Sequence, residues 1–364
     1  MAPGFIPILA YAQAGASFRE GAAMSTLFDD LLPPPLQMLR IMMGPWVAQV
    51  AAAIARFEVP DRLAEGPRTA AELAERAGAE PGAFARLLRA AASAGMLREV
   101  SPGLYAATPL GDTLRRDVPG SVRDLVVAEL GPGHWLPWGR LHEAVRTGHS
   151  QARAALGTDT WGYYAENPEE GASFARGMSN LSAMVAAETA PAYDFSGSTR
   201  IVDVGGSEGV MLAAALRAAP QARGVLFDRP EVIARGRGAV AAYGLGARLE
   251  SVAGDFLKEV PAGGDLYILK AILHDWDDDK SVTILQNVQR AARPGARVLV
   301  VEMIVPPTVT LSPVYLLDLD MLVVLDGRQR TETELAALFE KAGLRFDRVV
   351  PTRGFFSIVE GTRP

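Results

Sequence analysis

The sequence predicts an α/β protein, a parallel sheet covered by helices on both faces and preceded by a helical domain. From Arg200 onward, short apolar runs ("TRIVDVGG", "RGVLFD", "ARLESVAGD", "GDLYILK", "ARVLVVEMIV") alternate with helical stretches. Near-continuous apolar strands separated by helices belong to parallel sheets buried on both sides. Before Arg200, apolar residues recur at helical spacing instead.

The length of 364 residues leaves room for two domains, each able to bury a core. At 49% hydrophobic and 21% charged, the composition is that of a soluble globular chain. A net charge of −6 argues against a nucleic-acid surface, which needs clustered positive charge. Cysteine is absent, which removes disulfides and thiolate chemistry together and fits a cytoplasmic protein. No uninterrupted apolar run reaches the ~18 residues that span a bilayer, so no membrane partner is expected.

Residues 1–23 contain a short apolar stretch without a basic segment before it, so a secretory leader is not expected. They read as a flexible extension or interface arm, and Met24 opens a natural start, "MSTLFDDLLPPP".

Residues 24–120 read as a helical domain with a winged-helix pattern. The first helical stretch is expected to break at Gly44-Pro45 and to close at Gly66-Pro67. Thr69 and Glu72 form a capping box, and Gly78 ends that helix. Pro81 opens a second helix running to Ala94-Gly95, followed by "MLREV", a Ser101-Pro102-Gly103 turn and "LYAAT" as a hairpin. The second helix offers only Arg86 and Arg89 to phosphates and no polar group for base edges. A dimerising role is therefore expected rather than DNA binding. Residues 121–196 form a helical linker and lid region, rich in aromatics and Met, and residues 197–364 form the sheet domain.

In "IVDVGGSEGVMLAAALRAAP" a strand leads through a Gly-rich turn into a helix. Glycine there lets the backbone take positive φ and lets a ligand approach closely. Asp228 ends the next strand, where an acid accepts hydrogen bonds from ribose hydroxyls. Gly254-Asp255-Phe256 closes the third strand with an acid and a ring suited to an adenine. The glycines at 205, 206 and 209 do not have dinucleotide spacing, which disfavours a pyrophosphate.

With "DVGGSEG", "LFDRPEV", "GDF", "LKAILHDWDDDK", "PGARVLVVEMIVP" and "DGRQRTETELAALFEKAGL" in this order, the chain resembles the S-adenosylmethionine-dependent small-molecule O-methyltransferases of the caffeic acid and polyketide type. The resemblance runs from about Leu36 to the C-terminus. It implies a Rossmann-like methyltransferase sheet with a dimerising winged-helix domain, S-adenosyl-L-methionine as cofactor, a homodimer, and a small aromatic or polyketide acceptor. It also assigns residues. Asp203, Gly205, Gly206 and Ser207 form the cofactor loop, with Ser207 standing where the family has glycine. Asp228 takes the ribose, Asp255 and Phe256 the adenine, Lys270 reaches the cofactor from the fourth strand, and Ser182 lies near its amino-acid end. The resemblance of "FARGMSNLS" places Met178 near the acceptor; apart from it, Phe174, Trp276 and Met321 are expected acceptor contacts, with Trp135, Trp138, Met303 and Leu317 as further pocket candidates.

The same resemblance makes His274 the general base, set between two acids that orient its ring. Glu302 matches the first acid; the second is replaced by the neutral Gln329. Full proton transfer from a phenol of pKa ~10 to a histidine of pKa ~6.5 costs about 5 kcal/mol, whereas an aliphatic alcohol would cost over ~12. An acidic phenol or enol is therefore the expected acceptor. A metal at His274 and the aspartates that follow is not expected, because consecutive residues rarely point at one centre and negative charge favours a helix start. The alternatives left open are a non-methylating descendant that keeps the cofactor, a regulatory winged-helix protein, and methyl transfer to nitrogen or carbon.

Overall fold

The computed structural model describes residues 32–364, which fall into two compact units, one ending at Asp112 and one spanning Thr113–Pro364. The reading of residues 1–23 lies outside the described residues.

The first unit opens on the helix Pro34–Arg56, which runs through Gly44-Pro45 without breaking. The expected break does not occur because a single proline removes one helical hydrogen bond from a long helix and leaves the rest intact. The helix also ends earlier than expected, at Arg56, and a short helix, Val59–Arg62, follows a left-handed Glu58. Met38, Ile41, Met42 and Trp46 line one exposed side. This helix is 23 residues long with a mean hydropathy of 1.4 over its most apolar window, long and apolar enough to cross a membrane. The run-based reading missed this because Arg40, Gly44-Pro45 and Gln49 interrupt the apolar sequence.

The next elements follow their sequence signals. The helix Ala70–Ala77 starts at the Thr69–Glu72 capping box, with both reciprocal bonds formed, and stops at Gly78 with φ 62°. The helix Pro81–Ser93 leads into antiparallel strands Leu97–Ser101 and Leu104–Ala107, and Arg68–Thr69 adds a third strand beside Leu104 and Tyr105.

The second unit is built on a seven-stranded sheet. We label its strands β1 (Arg200–Val204), β2 (Arg223–Asp228), β3 (Leu249–Ala253), β4 (Leu266–Lys270), β5 (Arg297–Glu302), β6 (Arg345–Pro351) and β7 (Ser357–Thr362). Their spatial order is 3-2-1-4-5-7-6. Strands β1 to β5 are parallel, whereas β7 lies antiparallel between β5 and β6. The sheet is thus mixed. No strand after β5 is named from the sequence, although buried Ile358 and Val359 anchor β7.

Alternation along the strands divides the core in two. Val202, Val204, Tyr267, Leu269, Val298 and Val300 pack one way, against Ile284, Leu285 and Val288 of helix Asp278–Ala291 and Leu335, Leu338 and Phe339 of helix Glu332–Lys341. Ile201, Leu226, Leu266, Ile268, Leu299 and Val301 face the other way, against Met211, Leu212 and Leu216 of helix Val210–Ala218 and Val185 of helix Pro168–Ala192. The order in which strands are added reverses between β1 and β4, and ligands of open α/β sheets bind beyond the carboxyl ends of strands at such a switch point.

Candidate active site

The carboxyl ends of β1, β2, β4 and β5 carry Gly205, Asp228, Lys270 and Glu302 to one edge of the sheet. After β1 the chain turns through Gly205 at φ 70°, Ser207 at φ 53° and Gly209 at φ 77° into the helix Val210–Ala218. A β-carbon at Gly206 would lie 2.5 Å from Leu226 and 2.6 Å from the Asp203 carboxyl carbon, so any larger residue would have to displace these buried side chains. Ser207 holds a left-handed conformation that costs an L-residue about 1–2 kcal/mol. Its N–H donates to Asp228 Oδ2 at 2.8 Å, while Arg229 N–H donates to Oδ1 at 2.7 Å. Asp228 is therefore fixed by the loop it faces, and burial pushes its carboxyl pKa up.

Asp203 points away from the loop surface. It is buried, and its Oδ2 accepts the Leu212 N–H at 3.2 Å, clipping the helix start to β1. Burial raises its pKa to about 7, opposed by the positive charge of Lys270. Burial in turn lowers the Lys270 ammonium, opposed by Asp203, Asp275 and Glu302.

Asp255 is partly exposed and accepts the Leu257 N–H at 3.0 Å. Phe256 lies edge-on to Trp276 with centroids 6.0 Å apart. Trp276, grouped with the acceptor contacts by the sequence reading, therefore packs beside the ring expected to meet adenine. Ser182 donates its hydroxyl to the Met178 carbonyl at 2.7 Å within its own helix. The neighbouring Ser179 makes the tie to the loop, donating to Glu208 Oε2 at 2.6 Å. The sequence does not show this pair because Ser179 and Glu208 lie 29 residues apart and meet only once the helix packs against the loop.

His274 sits on a tight turn, Leu273–Asp275, just beyond β4, and is 7% exposed. The Gln329 amide lies 2.6 Å from its Nδ1, so the structure brings these two expected partners together. Glu302 has a different contact from the one expected of it. Its Oε1 accepts the backbone N–H of His274 at 3.0 Å instead of meeting the ring, because it ends β5 beneath the turn and faces the turn's free N–H groups. The acid nearest the ring is Asp275, whose Oδ1 lies 3.3 Å from Nε2. Burial, with the positive charges of Lys270 and Arg330, lowers the His274 pKa to about 3. Burial raises Glu302 to about 7, and burial and Glu302 raise Asp275 well above the usual carboxylate range. The buried His274–Asp275 pair is thus held toward its neutral forms.

Two further residues fix this turn, and the sequence reading did not single them out. Arg330 is 1% exposed and donates to the carbonyls of Leu273 and Trp276 at 2.9 and 2.8 Å. A β-carbon at Gly327 would come within 2.0 Å of the His274 carbonyl oxygen, which accepts the Arg328 N–H at 2.9 Å. The aspartates after His274 start a helix, as their charge predicts. Asp277 caps Asp278–Ala291 by accepting the Lys280 N–H at 2.8 Å.

Phe174 stacks on Tyr164 and His134, with centroids 4.8 and 5.7 Å away, and meets Trp161 edge-on. Met321 is buried beside Ala144, Leu317 and Trp138, and Trp138 Nε1 donates to Asp320. The ligating atoms of Glu129, His134 and Asp320 lie within 4.8 Å of one another, with the Tyr164 hydroxyl 2.8 Å from His134 Nδ1.

The donors at the sheet edge suit an adenosyl sulfonium ligand. A glycine cradle closes under Asp228, an aromatic pair follows β3, and, among the described residues, Glu302 Oε2, Gln329 Oε1 and Trp276 Nε1 are buried beside His274 without a hydrogen-bond partner. Comparison with known proteins agrees with this chemistry. Residues 138–345 match the O-methyltransferase domain and residues 39–117 the O-methyltransferase dimerisation domain. A phenazine O-methyltransferase from Lysobacter antibioticus is 38% identical over 323 residues, covering 89% of this chain and 94% of that one. A mitomycin biosynthesis 6-O-methyltransferase from Streptomyces lavendulae is 38% identical over 312 residues, covering 85% and 89%. Among solved structures, human N-acetylserotonin methyltransferase in complex with S-adenosylmethionine superposes with a TM-score of 0.83 at 26% identity, covering 92% of this chain and 99% of that one. The chain belongs to the dimerising O-methyltransferases, enzymes that use S-adenosylmethionine to methylate small molecules.

Proposed function

We propose that the enzyme methylates an acidic hydroxyl, a phenol or enol, on an aromatic or polyketide acceptor, with His274 as the proton acceptor. The observation that carries this reading is the contact between His274 Nδ1 and Gln329, a neutral amide at 2.6 Å, in a pocket that lowers the imidazole pKa to about 3. Moving a proton from a phenol of pKa ~10 to such a base costs about 9–10 kcal/mol, but from a hydroxyl of pKa ~6 only about 4. A neutral, weakly basic imidazole therefore favours acceptors that ionise easily.

Gly205, Gly206, Ser207, Asp228 and Phe256 would hold S-adenosylmethionine, which supplies an electrophilic methyl group on a sulfonium. With Gln329 Oε1 turned to the ring, Nδ1–H donates to it, and the Nε2 lone pair, 3.3 Å from Asp275 Oδ1, is the position that takes the proton of the acceptor hydroxyl. Lys270 and Arg330 add positive charge that favours an acceptor oxygen as its anion. Phe174 and Met321 supply apolar walls to the acceptor side. The helix-turn-helix and three-stranded sheet of the first unit form a winged-helix-like dimerisation module, a reading supported by the dimerisation-domain match at residues 39–117. The reading is tested by offering phenols of graded acidity. Turnover should rise as hydroxyl pKa falls toward ~6; a preference for unactivated alcohols would overturn it.

A further inference from the structure

We propose that Arg330 is a positioning residue that holds the His274 imidazole in its reactive orientation. The proposal rests on the reading of His274 as the base. Arg330 lies on a two-residue strand, Arg330–Thr331, paired in parallel with Ile304–Val305, just beyond Glu302. That pairing fixes its backbone to the same end of β5 that supports the His274 turn from below.

Its guanidinium is fully buried and makes four contacts, all to the segment bearing the base. Nη1 donates to Leu273 O at 2.9 Å, Nη2 to Trp276 O at 2.8 Å and Ser281 Oγ at 3.2 Å, and Nε to Asp278 Oδ1 at 2.9 Å. The two carbonyls flank His274 on either side in the chain. A planar guanidinium spans them with fixed geometry, which a lysine ammonium does not reproduce. Leaving a buried charge for carbonyls, rather than for a matched acid, is costly unless the geometry is well satisfied. The one carboxylate partner, Asp278, is 46% exposed and lies at the helix start, so the buried contacts serve the turn.

The groups facing His274 are Lys270 from β4, Asp275 beside it, Glu302 from β5, Gln329 from the loop after helix Val314–Leu325, and Arg330 from the short strand that follows it. Replacing Arg330 by methionine removes both the clamp and one of two cations, so the imidazole loses its fixed tautomer and becomes easier to protonate. Arg330→Lys keeps the charge and loses the fork.

The test uses the full-length enzyme saturated with S-adenosylhomocysteine, labelled with 15N-histidine; its four histidines give few signals to resolve. His274→Ala assigns the base. In the wild type, the His274 signals should show one tautomer that does not titrate above pH ~5. In Arg330→Met they should broaden or show both tautomers, with protonation displaced to higher pH. In Arg330→Lys the tautomer should also be lost while protonation stays low. In parallel, kcat on whichever phenol is turned over should fall about 100-fold in Arg330→Met with cofactor affinity kept. Unchanged His274 signals in Arg330→Met would overturn the proposal. If that variant does not fold, Arg330→Lys, which keeps the charge but cannot span the two carbonyls, takes its place, and a single unaltered His274 tautomer there would overturn the proposal equally. Methylation that survives His274→Ala overturns the base reading instead, so the two failures are distinguishable.

Discussion

Glu302 supports His274 through the backbone: its Oε1 accepts the His274 N–H at 3.0 Å, and the imidazole is oriented instead by Gln329 at 2.6 Å from Nδ1. The acid therefore shapes the turn, and the ring's own partner carries no charge.

Glu302→Gln keeps an acceptor oxygen for the turn and should reduce kcat only modestly, by about tenfold or less. Glu302→Ala leaves the turn's N–H groups buried and unpaired, and should cost about 1–3 kcal/mol of stability in denaturant titrations. The folded-state pKa of Glu302, about 7, lies above the ordinary 4.5, so the folded protein holds its proton more tightly than the unfolded chain. Its contribution is present below pH ~4.5 and is lost as pH rises toward 7. Thermal melts of Glu302→Gln should lose that part of the pH dependence.

His274 acts in the opposite direction. With a folded pKa of about 3, below the ordinary 6.5, it opposes folding as pH falls from 6.5 toward 3. His274→Ala should accordingly lose less stability than the wild type on acidification through that window, as read from melting temperature.

Gln329→Glu places a negative charge against Nδ1 and should raise the imidazole pKa. The acid limb of the pH profile of kcat/KM then moves upward by about a unit or more, and less acidic phenols become usable. An unmoved profile would show that Gln329 does not set base strength.

Gly327→Ala brings a β-carbon within 2.0 Å of the His274 carbonyl oxygen and must displace the turn. Misplacement of a base by about 1 Å costs on the order of 100-fold in rate. The expected result is a large fall in kcat with cofactor affinity retained by calorimetry.

Ser207→Gly relieves a left-handed serine worth about 1–2 kcal/mol, offset by about 0.4–1 kcal/mol of added unfolded-chain entropy. A small gain in stability with equal or tighter cofactor binding is expected. Ser207→Val, which puts a branched side chain at φ 53°, should weaken cofactor binding sharply.

Much of this was legible in the sequence, and the physical reason differs by element. The β1 to β5 strands and the Thr69–Glu72 cap are local signals, each written in a few neighbouring residues. The antiparallel β7 is not local, since its place between β5 and β6 depends on pairing across the sheet. Gly44-Pro45 looks like a break in isolation and is absorbed by a long helix. At the site, motif matching found His274, Gln329 and Asp228, but could not state which atoms meet. The contact of Glu302 with a backbone N–H, and the contacts Arg330 and Gly327 make with the turn's carbonyls, arise only once β5 and the loop after helix Val314–Leu325 are brought beneath it.

The proton-accepting role proposed for His274 is tested most directly by mass spectrometry of products across a panel of acidic phenols and enols, comparing wild type with His274→Ala at matched cofactor saturation. Products bearing one added methyl group are expected with the wild type, and a loss of about 100-fold or more in His274→Ala. Methylation at undiminished rate in His274→Ala would contradict it.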